Sequence, residues 1–171
     1  MAYDWWRDQL NKRIAVDYDN VLVHRGEMFF CSHTWDAHTS ATTVGFVITT
    51  GTAEPHGIFS IDFGGSGEWR LYETPTSGVT IPGTALTEYN QNRTDSKLPT
   101  AACSYDPTVT DLGTVILEYG NAGGAGLFVG SGAGANNSGH WNLKSSTTYV
   151  VCIENNSGST ATNTVRFFWH E

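Results

Sequence analysis

The stretch Thr147–Glu171, TTYVVCIENNSGSTATNTVRFFWHE, decides the fold, because apolar and polar residues alternate along both of its halves. Successive side chains of a β-strand point to opposite faces, so each half predicts a strand with one apolar face. Those faces consist of Tyr149, Val151 and Ile153 in the first half, and Val165, Phe167 and Trp169 in the second. Asn155–Ser159 has the Asn, Ser and Gly content of a turn. The stretch therefore predicts a β-hairpin that needs a surrounding sheet and a second layer over its apolar side.

The same alternation recurs along most of the chain. It predicts strands at Val21–Cys31, Val44–Thr50, Gly57–Phe63, Glu68–Glu73, Thr80–Tyr89 and Thr114–Tyr119. Gly57–Glu73 is expected to form a second hairpin, whereas Ser32–Thr42 and the stretch from Asn90 to about Asp111 are expected to be polar loops. Short strands separated by turns predict an all-β domain, an antiparallel two-sheet β-sandwich whose favoured topology is a jelly roll.

The N-terminal stretch has a different pattern. Residues 1–16 are predicted to be an arm or short helix, with Asp4 placed to cap it, and residues 17–171 to be the sandwich domain. Trp5, Trp6 and Arg7 are residue types favoured at protein interfaces. They are candidates for contact with a neighbouring subunit, and the alternative is that the tryptophans fold back onto their own domain.

Charge and cysteine content exclude several classes of function. The net charge is −8 with only nine Lys and Arg, so neither nucleic acid nor an anionic membrane is an expected partner. No apolar run is long enough to span a bilayer, and the first residues lack a secretion signal, so synthesis in a cytoplasm is expected. Cys31, Cys103 and Cys152 are odd in number and widely spaced, which favours reduced structural thiols.

No motif in the sequence predicts catalysis. The six histidines lack metal-ligand spacing, and Gly130–Gly134 is not followed by the helix that a phosphate-binding loop requires. Scattered carboxylates such as Asp17 and Asp19 are better explained by surface solvation than as a glycosidase pair. We therefore expect no enzyme activity, no cofactor and no metal. A sugar-binding platform of exposed aromatic residues remains an alternative.

Three segments carry a resemblance to a known group of proteins. Tyr18–Phe30, YDNVLVHRGEMFF, resembles the opening strand of small virion proteins of tailed bacteriophages. Asn90–Arg93 is similar to their Asn-Arg segment, and Leu143–Glu171 to their closing hairpin. The likeness covers most of Tyr18–Glu171.

This resemblance implies a structural protein of the phage particle, most simply a decoration (cement) protein on the exterior of the head. The implied partners are the major capsid protein and neighbouring copies of the chain, in a homotrimer or homodimer. Asn92 and Arg93 join Trp5, Trp6 and Arg7 as candidate intersubunit contacts, although Arg93 could instead clamp its own loop. The alternative function is a tail- or fibre-associated module that binds a glycan or a receptor.

Overall fold

The computed structural model describes residues 18–121 and 140–171. The arm with Trp5, Trp6 and Arg7, and the stretch that contains Gly130–Gly134, therefore lie outside the described residues. In the described part, helix α1 spans Tyr18–His24. The strands are β1 Met28–His38, β2 Thr43–Thr49, β3 His56–Phe63, β4 Gly67–Thr74, β5 Val79–Ile81, β6 Thr84–Ala85, β7 Tyr89–Asn90, β8 Ala102–Tyr105, β9 Thr108–Val109, β10 Thr114–Asn121, β11 Trp141–Asn142, β12 Thr148–Asn155 and β13 Ala161–His170.

These strands form two antiparallel sheets that pack against each other, which confirms the predicted all-β sandwich. Sheet A has the order β11-β3-β13-β1-β7, and sheet B has the order β10-β4-β12-β2-β8-β6. A separate ribbon pairs β5 with β9. Strands β1 to β4 pair with β13, β12, β11 and β10 respectively, so the early strands meet the late ones in reverse order.

The core lies between the sheets and contains the apolar faces predicted from the alternation. Every residue of the two faces of Thr147–Glu171 is at most 2% exposed. Their partners are Phe46 and Ile48 from β2, Phe59 and Ile61 from β3, and Trp69 and Leu71 from β4. Phe167 stacks on Phe59 at 4.7 Å and on Trp169 at 4.8 Å between ring centroids. Burial of each large side chain contributes roughly 1.5–3 kcal/mol, so this layer holds the sheets together.

Both predicted hairpins are wrong, because their strands belong to different sheets. β12 pairs with β2 and β4 in sheet B, whereas β13 pairs with β1 and β3 in sheet A. β3 and β4 are likewise divided between the sheets. In this arrangement the apolar faces of consecutive strands meet across the core, as Phe59 and Trp69 do at 6.3 Å. Each predicted turn is therefore a connection that crosses from one sheet to the other.

Buried asparagines stabilise the loops that cross between the sheets by hydrogen bonds to backbone groups. The Asn155 amide nitrogen donates to the carbonyls of His38 and Ser159, at 2.7 and 2.9 Å. Asn163 accepts a hydrogen bond from the Gly64 N–H through its side-chain oxygen. The Asn156 N–H donates to the Ser66 carbonyl and so links the two crossing loops directly. The side chains of Asn155 and Asn163 thus have the partners that their burial requires.

The predicted strand Val21–Cys31 is also wrong. Tyr18–His24 is helical, and the chain turns at Gly26, whose φ is +67°, before β1 begins at Met28. The Gly26 N–H donates to Val23 and the Glu27 N–H to Leu22, which is the usual way a helix ends at a left-handed glycine.

Two predicted loops contain strands. β1 continues through the expected loop Ser32–Thr42 to His38, because its alternate polar side chains face solvent. The expected loop from Asn90 to about Asp111 contains β8 and β9, with Cys103 buried in the core. The predicted strand Thr80–Tyr89 is divided into short pieces by Pro82 and Gly83, whereas β10 confirms Thr114–Tyr119.

Candidate protein-binding face

A row of apolar side chains crosses the outer face of sheet A. Cross-strand pairing places Tyr89 beside Phe30, Phe30 beside Phe168, and Phe168 beside Ile58. We call these four residues the apolar row. Tyr89 is 43% exposed, and the other three remain partly exposed. Large apolar side chains aligned on a solvent-facing sheet are typical of an interaction surface.

The rings of the apolar row are stacked. Phe30 lies 5.4 Å from Phe168 and 6.2 Å from Tyr89 between ring centroids, with interplanar angles of 23° and 27°. Aromatic pairs at such separations stabilise each other by about 0.5–1.5 kcal/mol beyond the burial of their area. The row is therefore a fixed surface that a partner could cover without ordering it first.

Polar and titratable groups border the row on both sides. On one side Arg166 forms an ion pair with Asp62, and Thr164 shares a hydrogen bond with Thr34. On the other side His56 and His170 stack at 4.9 Å. Burial, followed by the neighbouring His56, lowers the pKa of His170. An apolar centre with a polar rim is the general anatomy of a protein interface.

The loop that begins at Asn90 contains two candidate contact residues, Asn92 and Arg93, and only Arg93 is exposed. Asn92 is used inside the chain, because its amide nitrogen donates to the His24 carbonyl at 3.2 Å and its side-chain oxygen accepts from Thr94. Arg93 is exposed, and its guanidinium carbon lies 5.0 Å from the ring centroid of Tyr89. The structure therefore places Arg93 at one end of the apolar row and Asn92 as a cap on helix α1.

Sequence reasoning missed the row itself, although a signal was present. Phe29-Phe30 and Phe167-Phe168 are adjacent aromatic pairs, and in a strand one ring of each pair must face outward. Phe29 and Phe167 are fully buried, whereas Phe30 and Phe168 stay partly exposed. Two such pairs on neighbouring strands could have predicted a shared outer aromatic patch.

The described residues were also searched for other kinds of site. No cluster of three or more His, Cys, Asp or Glu in residues 18–121 and 140–171 could hold a metal ion. No helix in that part of the chain has the length and apolar character needed to cross a membrane. The outer face of sheet B carries an ion network in which Arg70 contacts Glu68, Glu118 and Glu154.

Comparison with known proteins gives no relative. The chain matches no family model, no curated protein and no solved structure.

Proposed function

We propose that this protein is a structural component of a tailed-bacteriophage particle, a decoration (cement) protein that binds and stabilises the assembled head. The observation that carries the proposal is the apolar row, a stacked and partly exposed surface with a polar rim and Arg93 at its end. The sequence resemblance to small virion proteins, which covers most of Tyr18–Glu171, motivates the same role, although Tyr18–His24 is helical and Thr147–Glu171 does not form a hairpin.

We further propose that the sandwich is a jelly roll. A jelly roll is a long antiparallel ribbon of eight strands wrapped into two sheets. The pairing of β1 to β4 with β13 to β10 in reverse order is the ribbon, and the pairs β3–β13 and β4–β12 are the contacts that wrapping creates. Viral capsid domains and lectin domains both use this topology, so it is compatible with the proposed role and with its alternative.

The proposed partners are the major capsid protein and neighbouring copies of this chain. The apolar row faces the shell, and the copies associate as a closed trimer or dimer that matches a symmetry axis of the head. The protein is made in the host cytoplasm and resides on the capsid exterior, without contact to nucleic acid or membrane. A partner that binds only the assembled shell stabilises it by its binding free energy, repeated at every site.

The test is reconstitution on heads that lack the protein. Purified protein is expected to fill regular sites on the head and to raise its disruption temperature. Phe168→Ser should weaken occupancy by about tenfold or more, because aromatic side chains at interface centres commonly contribute 2 kcal/mol or more. Tyr72→Ser, a partly exposed aromatic on sheet B, is the matched control and should leave occupancy unchanged.

Two further results separate the alternatives. Deletion of Met1–Ile14 asks whether the arm with Trp5, Trp6 and Arg7 contributes to occupancy independently of the row. Imaging of the particle counts and locates the copies, and a few copies at the tail would favour the glycan- or receptor-binding module. Heads that gain neither protein nor stability would overturn the proposal.

A further inference from the structure

A second surface feature lies at the side of the sandwich where the edges of the two sheets meet. It is a cleft of about 370 Å³. Sheet A contributes Ser32 and His33 from β1 and Tyr89 from β7, and sheet B contributes Tyr105 from β8. The segment that starts at β6 forms the remaining wall with Thr84, Ala85, Leu86 and Thr87. This volume lies in the range of pockets that hold small molecules.

The aromatic wall of the cleft is held in place by its neighbours. The rings of His33 and Tyr105 stack at 3.5 Å with an interplanar angle of 14°. Trp35 meets the His33 ring edge-on at 4.6 Å, and its indole N–H donates to the Asp106 carboxylate at 2.9 Å. The wall is therefore ordered before any ligand arrives, which lowers the entropy cost of binding.

Besides His33, the cleft is lined by five hydroxyl groups that make no side-chain hydrogen bond within the described part of the protein. They belong to the lining residues Ser32, Thr84, Thr87, Tyr89 and Tyr105. These five hydroxyls are thus free to bond with a ligand.

Charge restricts the class of ligand. The lining contains no Asp, Glu, Lys or Arg, and burial lowers the pKa of His33, which favours the neutral imidazole. A nucleotide could also stack on the aromatic wall, but the lining itself holds no Lys or Arg for its phosphate, Arg93 lies over Tyr89 at the border, and the chain has a net charge of −8. The lining therefore favours a neutral ligand that is rich in hydroxyls and offers an apolar face to an aromatic ring.

We propose that the cleft between β1 and β6 binds a neutral saccharide, whose C–H face packs on the aromatic wall and whose hydroxyls bond with the free hydroxyls of the lining. The site does not depend on the proposed cement role. The cleft is also distinct from the apolar row, although Tyr89 belongs to both surfaces.

The experiment is titration of the full chain with neutral oligosaccharides of glucose, galactose, mannose and N-acetylglucosamine, followed by calorimetry and by NMR. At least one of them is expected to bind and to shift the signals of His33 and Tyr105. Thr84→Val should weaken that binding by about tenfold, because the loss of one hydrogen bond leaves its partner on the saccharide unpaired. Tyr105→Phe should have a similar effect while it preserves the ring stack.

The matched control is Thr114→Val. Thr84 and Thr114 are both exposed, and each begins an edge strand of sheet B, β6 at one edge and β10 at the other. Thr114→Val should leave the affinity unchanged. The absence of binding by every neutral saccharide would overturn the proposal, as would equal effects of Thr84→Val and Thr114→Val. Binding of an extended peptide in the cleft, with no saccharide binding, would also overturn it.

Discussion

The outer faces of the two sheets differ in what the chain does with their apolar side chains. On sheet B, Val47 and Val150 lie side by side and are at most 1% exposed. Pro107 packs on the same side, because a Cβ at Gly45 would lie 2.9 Å from Pro107 and 3.9 Å from Val150. On sheet A, the apolar row occupies comparable outward positions and stays partly exposed.

The difference shows that the chain buries part of one outer face with its own residues, the part around Val47 and Val150. Burial on that face also raises the pKa of the neighbouring Cys152 thiol to about 11. The stacked rings of sheet A, in contrast, stay partly exposed and are available to a binding partner.

The largest expected effect comes from placing a charge on each face. Val150→Asp should destabilise the fold by about 4 kcal/mol or more, because the new carboxylate is buried without a partner. Ile58→Asp on the open face should cost only about 1 kcal/mol, from weaker strand propensity and lost contacts. Denaturant unfolding of both variants measures the difference, and equal losses would show that the two faces are covered to the same degree.

A medium effect is expected at Gly26, where helix α1 turns into β1 beside the loop that carries Arg93. Gly26→Ala should cost about 2–3 kcal/mol, because alanine disfavours φ of +67° and its Cβ would lie 2.3 Å from the Asp95 carboxylate. Gly158→Ala is the control, since φ there is +78° but nothing lies within 4 Å of the added Cβ. Its cost should stay near 1 kcal/mol, and an equal cost at both sites would remove the steric explanation.

The smallest effect is a pH dependence on the open face. Burial and the adjacent His56 lower the pKa of His170, as does His140, whereas Asp19 and Glu27 act to raise it. A lowered pKa means that the unfolded chain binds a proton more readily, so this contribution to stability is complete above about pH 6.5 and is lost as the pH falls through the lowered pKa. His170→Gln should therefore lose less stability than the wild-type chain between pH 7.5 and pH 5 in chemical unfolding. A steeper loss in the variant would contradict the assignment.

Period-two alternation predicts the apolar strand faces that form most of the core, although not core residues such as Cys103 in an expected loop. The alternation places Tyr149, Phe167 and Trp169 on apolar faces, and all three are buried. The sandwich followed from the number of such strands. The alternation cannot identify strand partners, however, because a strand with one apolar face fits equally well beside its neighbour or opposite it across the core.

The candidate site was predictable only in part. Arg93 lies at one end of the apolar row. Asn92 instead bonds to the carbonyl of His24 in helix α1. The sequence could not predict that contact, because the alternation predicts a strand over the end of this helix. The rings of the row come from β1, β7, β3 and β13. Their assembly depends on pairing between distant strands, which no local pattern encodes. The cleft depends in the same way on the meeting of β1 with β6 and β8.

The position of β12 and β13 has a consequence for how the molecule is made. These strands occupy the middle of sheet B and sheet A, and Met28 at the start of β1 pairs with His170 near the end of β13. A nascent chain therefore lacks the central strand of sheet B until β12 has been synthesised, and the central strand of sheet A until β13 has been synthesised. Because such distant contacts close slowly, chains that are cut before β13 should not complete either the β1–β13 pairing or the core, and they should be substrates for proteases.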